Sequence, residues 1–170
     1  MDILIVDGYN VINAWPELNK LKETNFDQAR GRLIQWLASY AGYKELEVII
    51  VFDAHMAKGN HIRHSEEAGV QVVFSEEGET ADSVIEKLVY SYKNAEKRTV
   101  FVATGDFAEQ LTVLAGGAFR VSIRELQSAV LAAAREISER HGESAGGRRP
   151  LEGRLQTGII QRLEEIRRQR

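Results

Sequence analysis

The feature that most restricts the fold of this chain is a set of short, uninterrupted apolar runs that alternate with helical patterns. The runs span residues 3–6, 48–52 and 99–103, with a weaker one at 70–74 that contains Gln71. Their continuous apolar character predicts strands that are buried on both faces. Such strands, alternating with helices, predict an α/β fold with a mostly parallel central sheet covered on both faces.

The segments between the runs carry apolar residues at helical spacing. Residues 26–43 predict one helix, and Thr80 is the predicted N-cap of a second. Residues 107–114 predict a third helix, and a fourth begins at Ser122 or Ile123 and runs to about Arg140. Residues 54–69 are polar and basic without a clear period, which predicts a loop.

The glycines and the proline of residues 141–150 predict a linker that follows a single domain at residues 1–140. Beyond the linker, residues 151–170 predict a basic amphipathic helix. Its apolar stripe is Leu155, Ile159, Leu163 and Ile166. The last 36 residues, Arg135 to Arg170, hold nine Arg and six Glu, so a basic tail follows an acidic body. Arg suits phosphate binding, although a solvated helix face explains the charge equally well.

The chain contains no cysteine, which excludes disulfides and cysteine-ligated zinc or iron–sulfur sites. An acidic residue at position 2 and the lack of a basic leader argue against a signal peptide. No apolar stretch approaches the length that crosses a bilayer. The sequence therefore predicts a cytoplasmic protein without membrane association.

Three aspartates follow the three strongest predicted strands. They are Asp7, Asp53 and Asp106. Because parallel strands end at one edge of a sheet, we expect these carboxylates to lie together in the crevice where ligands bind. Clustered carboxylates repel unless a cation neutralises them, and hard oxygen ligands favour Mg²⁺ or Mn²⁺ over Zn²⁺. The alternative is that each aspartate caps a helix or forms a turn.

Other polar residues join this candidate site from nearby positions. Asp82 lies just after the predicted cap Thr80, where an acidic residue also complements the helix dipole. Asn10 follows Asp7 by three residues and offers an uncharged ligand or a helix cap. The Thr104 hydroxyl precedes Asp106 and suits a phosphate or a metal-bound water.

Two basic segments fit a polyanionic substrate. The first, residues 55–64, carries Lys58, His61, Arg63 and His64, and the second is the Arg-rich tail with Arg148 and Arg149. A basic loop beside an acidic metal site suits RNA, whereas a mobile surface loop is the open alternative. The histidine spacing does not fit a zinc site.

The motifs of several other phosphate-handling families are absent or incomplete. Neither GxxxxGK[ST] nor GxGxxG occurs. Haloacid-dehalogenase phosphatases need a second aspartate two residues after the first, but here Tyr9 follows Asp7 at that spacing. A phospho-receiver domain would need paired acids at Asp7, and it leaves Asp82 and Asp106 without roles.

Four segments together resemble the NYN domain, a branch of the PIN-like nucleases, and within it the YacP-like group. They read IVDGYN at residues 5–10, VFD at 51–53, ETAD at 79–82 and ATGD at 103–106. The resemblance covers about residues 1–140. It implies a PIN-like three-layer α/β/α sandwich and an Mg²⁺-dependent endoribonuclease site.

The resemblance also implies roles for individual residues. Asp7, Asp82 and Asp106 would be the metal ligands, with Asn10 as a polar catalytic helper. The auxiliary residues would be Asp53, Glu79, Thr104 and Glu109. One departure concerns the last ligand, because many relatives place another Asp where this chain has Ala108, followed here by Glu109.

The function implied is hydrolysis of RNA phosphodiester bonds by metal-activated water. Some members of the YacP-like group are described as ribosome-associated nucleases that cut translated mRNA. The resemblance therefore implies mRNA and the ribosome as partners, with no preference for DNA. Two alternatives stay open: a non-catalytic domain that binds RNA or the ribosome, and a metal-dependent phosphatase.

Overall fold

A six-stranded sheet organises the chain, for which we analysed a computed structural model that describes residues 1–57, 63–95 and 98–144. The strands are β1 (Ile3–Asp7), β2 (Glu47–Phe52), β3 (His64–Glu67), β4 (Val70–Phe74), β5 (Val100–Ala103) and β6 (Phe119–Val121). Their order is β3-β4-β2-β1-β5-β6. The β3–β4 pair is antiparallel and the other four pairs are parallel, which confirms the predicted mostly parallel sheet.

In the described part of the chain, five α-helices connect the strands and a sixth follows β6. They are α1 (Gly8–Ala14), α2 (Pro16–Thr24), α3 (Phe26–Lys44), α4 (Ala81–Ala95), α5 (Phe107–Ala115) and α6 (Ile123–Ser144). The chain runs outward from β1 to β2 and β4, then crosses back over β1 to β5 and β6. Right-handed crossovers in opposite directions place α1–α3 on one face of the sheet and α4 and α5 on the other. The result is the predicted α/β/α arrangement.

Helix α4 packs onto the sheet through a continuous apolar cluster. The cluster contains Ile3, Ile5, Ile49, Val51, Val73, Val100 and Val102 from the strands, Ala81, Val84, Ile85 and Val89 from α4, Val113 from α5, and Ala118. The strand residues alternate in sequence, so they share one face of the sheet. This packing fixes the N-terminal end of α4 near the edge where the parallel strands end.

The chain divides into two compact units, Met1–Gln127 and Ser128–Arg170. The sheet and helices α1 to α5 lie in the first unit. Of the second unit, the structure describes the remainder of α6. No helix within the described ranges has the length and apolar content needed to cross a membrane.

The prediction of a loop over residues 54–69 was wrong in part. A 3₁₀ turn occupies Ala54–Met56, and β3 pairs antiparallel with β4. The sequence of β3 is HSEE, which has no apolar alternation because this edge strand is held by backbone pairing rather than by burial. Charged residues also suit an exposed edge, where they discourage pairing with another chain.

Helix α6 begins where the sequence predicted but ends later. A capping box closes its start: the backbone N–H of Glu125 donates to Ser122 Oγ at 3.1 Å, and that of Ser122 donates to Glu125 Oε2 at 2.7 Å. The helix continues to Ser144, so residues 141–144 are helical rather than linker. A single glycine such as Gly142 costs a helix only about 1 kcal/mol, which neighbouring helical residues can offset. Residues 145–170, with the rest of the predicted linker and the predicted C-terminal helix, lie outside the described residues.

Candidate active site

The ends of three neighbouring strands form the floor of the candidate site. In the sheet register Asp7 lies beside Val51 of β2, and Val6 lies beside Ala103 of β5. Adjacent strands are about 4.8 Å apart, so Asp7, Asp53 and the 104–106 turn occupy one edge. The strand order reverses between β1 and β5: from β1 the chain continues to β2 on one side, and it later returns to add β5 on the other side. This is the crevice in which open α/β sheets bind ligands.

Asp7 is the most constrained acid at this edge. Its side chain is buried, with the residue only 5% exposed. Its Oδ1 accepts from the backbone N–H of Asn10 at 3.1 Å and caps α1, and its Oδ2 accepts from Asn10 Nδ2 at 2.5 Å. The Asn10 contacts hold the carboxylate in one orientation. Asp7, not Asn10, is therefore the helix cap at this turn.

The pKa of Asp7 is raised above its ordinary value. Burial is the largest cause, the two hydrogen bonds from Asn10 oppose it, and the charge of Asp82 raises the pKa further. Asp82 is therefore within range of electrostatic interaction with Asp7. A buried acid with a raised pKa beside a second acid is a common feature of functional sites.

Asp82 reaches the crevice because the loop after β4 leads into α4. The backbone N–H of Ser83 donates to Thr80 Oγ1 at 3.2 Å, so Thr80 caps α4 as predicted, and Asp82 lies in the first turn. Glu79 of this loop pairs with Lys87 of α4. Its Oε2 also accepts from the backbone N–H of Glu76 at 3.2 Å. The hydrogen bond from Lys87 is the main cause that lowers the pKa of Glu79.

The turn after β5 is built by hydrogen bonds from its own side chains. Thr104 is buried, and its Oγ1 accepts from the backbone N–H of Asp106 at 3.1 Å. Asp106 is exposed, and its Oδ1 accepts from the backbone N–H of Ala108 at 2.8 Å at the start of α5. A Cβ placed on Gly105 would lie 3.0 Å from Asn10 Oδ1. The Asn10 side chain, which donates to Asp7, therefore also lies close to this turn.

Asp53 lies on the opposite side of Asp7 from that turn. Its Oδ1 accepts from the backbone N–H of His55 at 2.9 Å and caps the 3₁₀ turn. Burial is the main cause that raises the pKa of Tyr9, and the charge of Asp53 adds to it. Asp53 thus lies near the Tyr9 hydroxyl, beside the Asp7 turn.

Arg30 is a buried residue near the site that the sequence interpretation missed. It is 7% exposed, it donates from Nη1 to Tyr9 Oη at 3.2 Å, and it pairs with Asp27. The Arg30 guanidinium carbon lies 5.8 Å from the ring centroids of Phe26 and Phe74. A signal was present in the sequence, because Arg30 interrupts the apolar stripe of α3 between Ala29 and Leu33.

The structure brings Asp7 and Asp82 into interaction and places Asp106 on the neighbouring turn. Across residues 1–57, 63–95 and 98–144 it gathers no group of three or more His, Cys, Asp or Glu residues that could hold a metal ion. The donors at the edge are carboxylate, amide and hydroxyl oxygens, which match the preference of Mg²⁺ and Mn²⁺. The side chain of Glu109 lies outside what the structure describes.

The predicted RNA-binding residues fall into two groups. Arg63 is exposed and forms an ion pair with Glu76, and the exposed His64 is the first residue of β3. The others lie outside the described residues. They are Lys58, His61, Arg148 and Arg149.

Known proteins share both the sequence motifs and the fold of this chain. The family described as the YacP-like NYN domain matches residues 4–168. The chain belongs to the YacP-like NYN family. It is 46% identical over 140 residues to YacP of Bacillus subtilis strain 168, covering 82% of this chain and 81% of that protein.

Two crystal structures of Bacillus subtilis Rae1 (YacP) resemble this fold. One matches with a TM-score of 0.73 and 40% identity, covering 99% of this chain and 95% of that one. The other, of a mutant of that protein with one tryptophan replaced by leucine, matches with a TM-score of 0.70 and 46% identity over 82% and 81% of the two chains. Membership of the family implies a nuclease-like, RNA-related function, in agreement with the class that the sequence motifs indicated.

The interaction between Asp82 and Asp7 can be tested directly. We expect Asp82→Asn to lower the pKa of Asp7, because the substitution removes a like charge that favours the protonated form. The measurement is a carbon-13 NMR titration of the Asp7 carboxyl in metal-free buffer. Glu86→Gln removes an acid one helical turn further along α4 and should leave that pKa unchanged. An Asp7 pKa that responds equally to both variants would contradict the placement.

Proposed function

We propose that this chain is an Mg²⁺-dependent endoribonuclease that hydrolyses RNA phosphodiester bonds. The observation that carries the proposal is the buried, oriented Asp7 carboxylate at the crevice between β1 and β5, with Asp82 close enough to raise its pKa. A protein retains two neighbouring acids most readily where a cation neutralises them. Membership of the YacP-like NYN family supports the nuclease class.

In this proposal Asp7, Asp82 and Asp106 hold Mg²⁺ or Mn²⁺. When bound, the metal would supply an activated water and stabilise the negative charge that develops on the phosphate. Asn10 orients the Asp7 carboxylate through its side-chain amide. Thr104 fixes the backbone of the turn that carries Asp106. Asp53 and Glu79 act as flanking acids, and we place Glu109 with them by its position in the chain.

Hydrolysis of this kind leaves a 5′-phosphate and a 3′-hydroxyl. We propose mRNA as the substrate and the ribosome as a partner, which would place the activity in the cytoplasm. The support is the motif resemblance to the YacP-like group. The basic residues Lys58, His61, Arg63 and His64, with Arg148 and Arg149 of the tail, would contact the RNA backbone. Arg63 and His64 are exposed and border the loop that leads to Asp82.

The test is a cleavage assay with purified chain and a labelled mRNA, with Mg²⁺ or with EDTA, and with or without translating ribosomes. We expect cutting only with metal, products that carry 5′-phosphates, and little cutting of DNA of the same sequence. A chromogenic phosphate ester serves as the competing substrate. Release of phosphate from the ester while the RNA stays intact would support a metal-dependent phosphatase. Salt-sensitive RNA binding without cutting would support a non-catalytic RNA-binding domain.

A further inference from the structure

A groove between helices α4 and α5 opens from the candidate active site. It has a volume of about 840 Å³, and Thr80, Asp82 and Ala108 line the end nearest the sheet edge. The backbone N–H of Ala108 is the group that Asp106 caps. The groove therefore starts between two of the proposed metal ligands. Its size falls within the range of about 300–1,000 Å³ that is typical of ligand sites.

The far part of the groove presents an exposed aromatic ring. Tyr90 lines the groove, and 73% of the residue is accessible to solvent. Tyr90 follows Asp82 by eight residues, so it lies roughly 12 Å further along the α4 axis. The opposite wall contains Thr112 and Ala115 of α5 and Gly116, which follows that helix. These residues are small and leave room for a flat ring.

Lysines lie on both sides of this aromatic residue on the same helix. Lys87 and Lys93 are three residues before and after Tyr90, so each lysine is a neighbour of Tyr90 on the surface of α4. The Lys87 side chain is 71% exposed, and it pairs with Glu79, whose side chain is 11% exposed. The Lys93 side chain extends to Gly117, the residue that follows the groove-lining Gly116. An aromatic platform flanked by cations is the usual arrangement for binding single-stranded nucleic acid.

We propose that the α4–α5 groove binds the unpaired RNA strand next to the cut phosphate, with one base stacked on Tyr90. This inference rests on the proposed nuclease function and adds to it a requirement for unpaired RNA beside the cut. Glu86 and Lys87 both line the groove, so in this proposal the base lies inside it and the phosphates follow its rim past Lys87 toward Lys93. At about 3.4 Å per stacked nucleotide, the stacked base would be two to four nucleotides from the cut.

The test measures RNA affinity separately from cutting. The probe is a fluorescein-labelled unstructured RNA of about 12 nucleotides, titrated with full-length chain in EDTA and followed by anisotropy. We expect Tyr90→Ala to raise Kd roughly 5- to 100-fold, the range for loss of one base–aromatic stack. Tyr90→Phe keeps the ring and should stay within about 2-fold of wild type.

Further variants identify the groove as the location. Thr112→Trp fills the groove from an exposed position and should weaken binding as Tyr90→Ala does. Lys93→Gln should reduce the slope of log Kd against log salt concentration by about one, the value for loss of one phosphate contact. Phe119→Ala removes an aromatic residue that is 59% exposed on β6, outside the groove, and should leave Kd unchanged. A blunt RNA duplex should bind equally to wild type and Tyr90→Ala.

Failure of the inference is distinct from failure of the proposed function. If wild type cuts RNA with Mg²⁺ while Tyr90→Ala and Thr112→Trp keep wild-type Kd and KM, only the groove proposal is overturned. If Tyr90→Ala lowers Tm without changing Kd, the groove is covered by this chain's own residues and the proposal is also overturned. If wild type binds the probe through Tyr90 but never cuts, the groove proposal stands as a binding site and the nuclease proposal falls.

Discussion

Replacement of Asp7 by Asn is expected to reduce RNA cleavage at least roughly 100-fold while the chain stays folded. The loss follows because Asn keeps the shape of the side chain but removes the charge that would bind Mg²⁺, and loss of one group that supports electrostatic stabilisation of a transition state commonly costs about 10²–10³ in rate. The cap on α1 survives, since Asn accepts from a backbone N–H as well as Asp does. The measurement is the rate of cleavage of a labelled RNA under single-turnover conditions.

The same substitution has an expected effect on stability. Because the pKa of Asp7 is raised above 3.8 in the folded chain, protonation favours the folded state. Stability linked to this carboxyl is therefore fully present below pH 3.8 and is lost as pH rises through the raised folded value. At pH 7 in EDTA, Asp7→Asn removes a buried charge but also replaces the oxygen that accepts from Asn10 Nδ2, so its free energy of unfolding relative to that of wild type should be higher at pH 7 than at pH 4. Urea denaturation at pH 7 and at pH 4 measures the two differences.

Asp53→Asn is the matched control. It makes the same chemical change at the end of the neighbouring strand, and its capping of the 3₁₀ turn should survive in the same way. We expect its cleavage rate to stay within about 10-fold of wild type. Wild-type cutting by Asp7→Asn, or an equal loss in both variants, would refute the assignment of Asp7 as the central ligand.

Gly8→Ala is expected to destabilise the fold by about 2–3 kcal/mol, the upper part of the range for overpacking a core. A Cβ at Gly8 would lie 2.6 Å from Cδ1 and 2.8 Å from Cζ of Phe52, and closer still to Cε1. The Phe52 ring cannot withdraw easily, because it is fully buried and lies 5.1 Å from the ring of Tyr9 and 5.4 Å from that of Phe74. For a chain of this size, Tm should fall by roughly 5–10 °C, which calorimetry measures.

A matched glycine and a double variant separate overpacking from other causes. Gly31 is also helical but has no heavy atom within 4 Å of a built Cβ, so Gly31→Ala should raise stability by about 0.5–1 kcal/mol. Phe52→Leu makes room beside Gly8, so the Gly8→Ala/Phe52→Leu pair should be less destabilised than the sum of the single variants. Additive losses would show that the Phe52 ring is not the obstacle.

Much of the architecture could be predicted from local sequence patterns. The buried strands are recognisable as apolar runs because both their faces are covered, and Thr80 and Ser122 indicate helix starts because their hydroxyls satisfy free backbone N–H groups. Strand β3 could not be predicted this way. Its residues are held by backbone pairing with β4, and that pairing leaves no pattern in side-chain polarity.

The strand-end aspartates show where local information stops. The sequence by itself determined that Asp7, Asp53 and Asp106 follow parallel strands, and the parallel topology requires such residues to share one edge. Which neighbour each carboxylate meets depends on where the connecting loops and helices pack. Burial, Asn10 and Asp82 act together on Asp7, whereas Asp53 and Asp106 cap the turns that follow them.

The family resemblance predicted Asp82 as a metal ligand, but only the tertiary structure decided that Asp82 interacts with Asp7 and that Tyr90 lies on a groove leading away from Asp82. Asp82 is 75 residues from Asp7 in sequence. It reaches the crevice because the apolar face of α4 packs on β1, β2 and β5 and thereby fixes the start of the helix. The hydrophobic effect depends on the apolar area that is buried and not on which residues bury it, so local sequence does not specify the contacts. Residues that are distant along the chain meet only when the whole core is assembled.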